Sequence, residues 1–165
     1  MVGSKSPRHP TTEAFRGLRT NLQYLLNKEG QNTILVSSMH PGEGKTFTAT
    51  NMAALLAQAG KKTLLIDYDL HKPRVHRALN VDRGAGLSGY LIGQVSWAMA
   101  VQPTDISGLD VITSGPIPPN ASELVLNDRT DELIAEARKV YDFVVIDTPP
   151  ILLILSLIHI SEPTR

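Results

Sequence analysis

The stretch Ile34–Thr46, ILVSSMHPGEGKT, leaves this chain few ways to fold. Ile34, Leu35, Val36 and Ser37 read as a buried strand. Gly44-Lys45-Thr46 then closes a glycine-containing loop, and an apolar-patterned helix opens at Lys45 or Thr46. A strand-to-helix junction of this kind is a P-loop, a cradle for phosphate. Its backbone N–H groups converge on an anion only where side chains do not block them, hence Gly42 and Gly44. Lys45 would reach the β- and γ-phosphates of a triphosphate, and the Thr46 hydroxyl would sit on Mg²⁺. Pro41, Glu43 and Phe47 complete the expected nucleotide-binding stretch. The strict pattern G-x-x-x-x-G-K-[ST] asks for glycine where this chain has Met39, so the motif rests on its context.

That context continues downstream. The helix from Thr46 should carry Met52, Ala53, Leu55, Leu56 and Ala59 inward and end at Gly60. A second strand, Thr63–Asp67, is apolar on both faces, as in parallel sheets covered by helices on both sides. It runs into Asp67-Tyr68-Asp69, just beyond a strand's carboxyl end, where open α/β sheets place working residues. Short helices are expected at Val75–Leu79, Leu87–Ile92 and Trp97–Val101, and a third strand at Leu109–Thr113. The proline-rich segment Gly115–Asn120 reads as a rigid, non-helical loop. Ser122–Val140 is mostly helical, with Leu133, Ile134, Ala137 and Val140 at helical spacing, and Tyr141–Asp147 is a fourth strand. Strands alternating with helices give a doubly wound α/β domain around a mainly parallel sheet.

An apolar strand that ends in aspartate downstream of a P-loop is a Walker B arrangement, which assigns Asp147 to Mg²⁺. On general grounds Asp67 and Asp69 could serve as a second acidic site near the γ-phosphate, as a general base or as water-mediated metal ligands. His40, His71 and His76 have no metal-ligand spacing, and Lys72, Arg74 and Arg77 could clamp phosphate but read more simply as surface charge. A further helix over Glu13–Leu26 would place Phe15, Leu18, Leu22, Leu25 and Leu26 on one arc. Glu13, Arg16 and Arg19 lie outside that arc, and physical reasoning alone makes them a solvated charged edge.

Composition excludes several classes. Formal charge balances to +0, so nothing global favours nucleic acid or an acidic membrane surface. There is no Cys, hence no disulfide framework or thiolate metal site. The start of the chain has no apolar signal region, and no run reaches the ~18–20 apolar residues of a membrane span.

With these motifs placed, the sequence resembles the bacterial protein-tyrosine kinases of capsular and exopolysaccharide synthesis. SSMHPGEGKT resembles that family's Walker A, LLIDYDLHKPRVHR its Walker A′ and FVVIDTPP its Walker B. EAFRGLRTNLQYL is similar to its ExxRxxR helix, and GPIPPNASEL to its usual text. The resemblance implies ATP and Mg²⁺ as cofactors, with Lys45, Asp67 and Asp69 catalytic and Thr46, Asp67 and Asp147 on the metal. It turns Glu13, Arg16 and Arg19 into the contact of a ring-shaped homo-oligomer. It also implies autophosphorylation on tyrosine and a place at the cytoplasmic face of the plasma membrane, with a transmembrane polysaccharide co-polymerase as activator. The family's acceptor is a tyrosine cluster, whereas here Tyr24, Tyr68, Tyr90 and Tyr141 are scattered.

Two other readings are open. A partitioning or site-selection ATPase of the ParA/MinD type would usually carry a second lysine where this chain has His40, and would lack the ExxRxxR helix. An oligomerisation module could bind nucleotide without catalysis. ATP consumption with and without a tyrosine substrate separates the three. Residues 1–11 are expected to be a flexible lead-in and 12–154 a partial kinase domain. Leu155–Arg165 back-translates onto a sequence resembling a transposase sequencing adaptor and is expected to be read-through rather than protein.

Overall fold

The computed structural model describes residues 20, 33–36, 43–70, 73–117, 119–120, 123–124 and 128–148. Of the expected helix over Glu13–Leu26 only Thr20 is among them; Glu13, Arg16 and Arg19 lie outside, as do Pro41, Gly42 and Leu155–Arg165. Five strands form one sheet: β1 (Thr33–Val36), β2 (Thr63–Asp67), β3 (Gln102–Pro103), β4 (Leu109–Ile112) and β5 (Phe143–Asp147). Their order is β1-β5-β2-β4-β3, with every pairing parallel except the β3–β4 edge. Among the described residues, the helices that accompany them are α1 (Glu43–Gln58), α2 (Val75–Ala78), α3 (Gly86–Leu91), α4 (Trp97–Ala100) and α5 (Arg129–Val140).

Strand alternation sorts the core into two layers. Leu64, Ile66, Val144 and Ile146 share one cluster with Leu87 and Leu91 of α3 and Leu133, Ile134 and Ala137 of α5. Leu65, Val111, Phe143 and Val145 point the other way, against Ala49, Met52, Ala53 and Leu56 of α1. Covering on both faces explains why β2 and β5 are buried at every position. The doubly wound expectation holds.

Small residues let α1 lie close to the sheet. Ala49, Ala53, Ala54 and Ala57 are all buried. Thr50 and Asn51 are buried as well, and each returns its side-chain donor to a carbonyl four residues back, on Thr46 and Phe47. Gly60, at φ +89°, ends the run in the left-handed conformation that glycine adopts freely. In α5, Asp131 and Glu132 open the helix and Arg138 and Lys139 close it, complementing its dipole.

Four expectations need correction. Helix α1 opens at Glu43, earlier than Lys45, so the glycine-lysine-threonine run is its first turn. Ala59 is exposed because the helix has ended before it. Val140 is exposed, and Tyr141 takes the buried place that follows Ala137, its N–H donating to the Ala137 carbonyl at 2.9 Å. That contact keeps Tyr141 out of β5, which begins at Phe143. Strand β3 was not expected: Gln102 and Pro103 pair antiparallel with Val111 and Asp110 at the sheet edge, where proline is tolerated.

The two layers predict unequal costs of truncation. Leu65→Ala should lower unfolding free energy by about 2–5 kcal/mol, and Val140→Ala by less than about 0.5 kcal/mol, as read from equilibrium urea titrations.

Candidate functional site

The carboxyl ends of β1, β5 and β2 lie side by side, so the loops that leave these strands meet at one rim. Val36 and Asp147 are register partners, and so are Asp67 and Asp147. The rim is tied by backbone. The Thr148 N–H donates to the Val36 carbonyl at 3.0 Å, and the Tyr68 N–H to the Asp147 carbonyl at 2.9 Å. The Thr148 hydroxyl adds a second bond to Val36 at 3.2 Å. Neither Thr148 nor the Tyr68 amide was singled out from sequence, although FVVIDTPP contains the threonine.

Helix α1 delivers Thr46 to this rim. Its hydroxyl donates to Asp147 Oδ2 at 3.2 Å, in a buried contact that spans most of the chain. A hydroxyl has one proton and two lone pairs; with the proton given to Asp147, the lone pairs remain for a cation. Glu43, Gly44 and Lys45 precede it in the first helical turn, where amides without intrahelical partners attract anions. The side chain of Lys45 lies outside the described residues, and Phe47 is half-buried.

Asp67 is fully buried, and its carboxylate organises the turn after β2. Oδ1 accepts the Asp69 N–H at 3.0 Å and Oδ2 accepts the Val75 N–H at 3.3 Å, which fixes the start of α2. Burial pushes its pKa up to about 7, the negative charge of Asp147 adds to the rise, and the two backbone donors oppose it. Asp69 is half-buried and so more open to solvent than either neighbour. The structure therefore brings Thr46, Asp67 and Asp147 together, with Asp69 two residues on, its N–H bonded to the Asp67 carboxylate.

Among the described residues, no group of three or more His, Cys, Asp or Glu side chains gathers as a metal cage. Two buried carboxylates and a hydroxyl, all hard oxygen donors, suit Mg²⁺, which keeps waters and takes phosphate oxygens rather than filling an all-protein site.

The pH dependence comes from the raised pKa of Asp67. Asp67 binds its proton more tightly folded than unfolded, so its stabilising contribution is present in acid and is lost as pH rises from about 4 to about 7. Thermal melts without metal should show stability falling by up to a few kcal/mol across that window, and Asp67→Asn should flatten the profile.

A family model described as "AAA domain" matches residues 31–162. Over 152 residues the chain is 43% identical to "Tyrosine-protein kinase YwqD" of Bacillus subtilis, covering 92% of this chain and 64% of that protein. Among solved structures, the kinase domain of Escherichia coli tyrosine kinase ETK superposes with a TM-score of 0.82 at 36% identity, covering 96% of this chain and 62% of that one. The septum site-determining protein MinD of Pyrococcus horikoshii, complexed with Mg-ADP, gives 0.64 at 26% identity, covering 79% and 55%. The chain thus spans less than two thirds of each of these three proteins. Among the described residues, no helix is long and apolar enough to cross a membrane.

Proposed function

The chain belongs to the AAA-domain family of P-loop proteins and, within it, to the bacterial tyrosine-protein kinases, and on that premise we propose that it transfers the γ-phosphoryl group of ATP to tyrosine hydroxyls. The observation that carries this reading is the buried Thr46–Asp147 contact at 3.2 Å beside the in-register Asp67–Asp147 pair. It supports a site built for a nucleotide with Mg²⁺. Bound there, Mg²⁺ would supply charge neutralisation on the phosphates.

The chain's own residues do the rest. The first turn of α1, with Lys45, holds the β- and γ-phosphates. Thr46 and Asp147 form the metal-facing edge, and Asp67 joins them while fixing the turn to α2. Asp69, the more exposed carboxylate, accepts the proton of the attacking tyrosine hydroxyl. Phosphoryl transfer depends on positioning and charge placement, so each loss should be severe.

The acceptor lies elsewhere than the described tyrosines. Tyr68, Tyr90 and Tyr141 are 0%, 4% and 6% exposed, too buried to enter another molecule's site. We place the activity in capsule or exopolysaccharide synthesis, at the inner face of the plasma membrane, with a transmembrane co-polymerase as activator. Homo-oligomerisation would run through Glu13, Arg16 and Arg19. The family resemblance of the motifs supports these assignments.

In the full-length protein, Lys45→Met should abolish phosphotyrosine and Asp69→Asn should lower kcat by about a hundredfold or more, read by mass spectrometry and a radiolabelled-ATP assay. Undiminished phosphotyrosine in Lys45→Met refutes the assignment. Steady ATP hydrolysis with no transfer to any tyrosine would favour a switch of the MinD type.

A further inference from the structure

In-line phosphoryl transfer puts the acceptor on the side of the phosphorus away from the leaving nucleotide. The carboxyl-end rim of the parallel strands runs β1, β5, β2, β4. On the kinase reading, nucleotide phosphates sit at the β1–α1 end, and Asp147 and Asp67 come next. Attacking and leaving oxygens stand on opposite sides of the phosphorus, and the flank of Asp67 turned away from the P-loop is the one that β4 closes, with Ile66 and Ile112 in register. The structure places the turn after β4, Thr113–Ile117, on that side.

That turn is held from several directions. The Leu87 N–H donates to the Thr113 carbonyl at 2.7 Å and the Ser88 N–H to the Ser114 carbonyl at 2.9 Å, so the start of α3 is joined to it. The Thr113 hydroxyl donates to the Arg83 carbonyl. Two glycines permit the approach. Gly86, at φ +55°, would place a Cβ 2.5 Å from both Gly115 N and the Thr113 carbonyl oxygen. Gly115, at φ +76°, would drive a Cβ into the Ala85 carbonyl. Neither position accepts a side chain without backbone movement.

The pinned turn ends by exposing apolar surface. Pro116 is exposed, and Ile117 is 49% exposed, one of four large hydrophobics exposed among the described residues. A rigid aliphatic ledge suits a ring with an apolar body and a polar tip. Pro116 and Pro119 offer no N–H, so an incoming segment would be held there by side-chain packing rather than by strand addition.

We infer that the turn Thr113–Ile117, pinned to α3 through Gly86 and Gly115, is the acceptor-side wall of the site. Ile117 packs against the tyrosine-bearing segment and sets its affinity. This inference rests on the kinase reading.

The test uses the full-length protein with ATP and a synthetic tyrosine peptide, comparing wild type, Ile117→Asp and Ile117→Val in steady state. Ile117→Asp should raise the peptide KM about tenfold while kcat at saturating peptide stays within about twofold, and Ile117→Val should restore the wild-type KM. Retained kcat shows that the variant is folded. An unchanged peptide KM overturns the inference. So does a raised peptide KM accompanied by altered oligomeric state in light scattering, which would assign Ile117 to a contact between copies. Wild-type protein that hydrolyses ATP yet phosphorylates no tyrosine overturns the kinase reading, and this wall with it.

Discussion

Two carboxylates that repel each other are held in register at the middle of this sheet. Asp67 and Asp147 end adjacent parallel strands, both fully withdrawn from water, in an environment where like charges are costly. The surrounding structure accommodates that cost locally. Thr46 donates to Asp147, two backbone amides donate to Asp67, and Asp67 answers with a raised pKa. Each accommodation also places a part of the site: the Thr46 contact docks α1, and the Asp67 contacts shape the turn into α2. A cation bound between them would relieve the repulsion, which couples ligand binding to stability.

The opposite rim has no such tension. Tyr141 donates to Asp110 Oδ2 at 2.6 Å, meets Trp97 edge-on with ring centroids 6.4 Å apart, and has the Lys62 ammonium 5.5 Å from its ring centre. Asp142 accepts the Lys62 N–H at 2.8 Å. These contacts clamp the amino ends of β2, β4 and β5, so strain at the carboxyl ends is borne by a sheet fixed at its other side. Satisfied polar contacts at one end and an electrostatic load at the other is the arrangement expected when function is confined to one rim.

Much of this was legible in the sequence because the signals were local. β2 and β5 announce themselves as apolar runs that no half-exposed strand would show, and Asp67 and Asp147 are read directly from where those runs stop. The hidden features depend on tertiary contact. The two-residue β3 is too short for any period and contains a proline. Val140 sits at core spacing, yet the helix ends there and Tyr141 takes the buried place. That Asp67 organises the turn after β2 is set by the Asp69 and Val75 amides, which carry no side-chain identity to read. The contact of Gly86 with Gly115 joins residues 29 positions apart, and nothing in either neighbourhood announces the other.

The burial of Tyr68, Tyr90 and Tyr141 has a bearing beyond packing. A tyrosine-phosphorylating enzyme carries its own potential substrates at a concentration no external protein can match. Here the described ones become accessible only when the fold opens, and each ~1.4 kcal/mol of opening free energy lowers the reactive population about tenfold. If the chain phosphorylates tyrosine as proposed, fidelity toward foreign acceptors is tied to conformational stability. On that reading, a core substitution far from the site would raise the background of self-modification before it impaired catalysis.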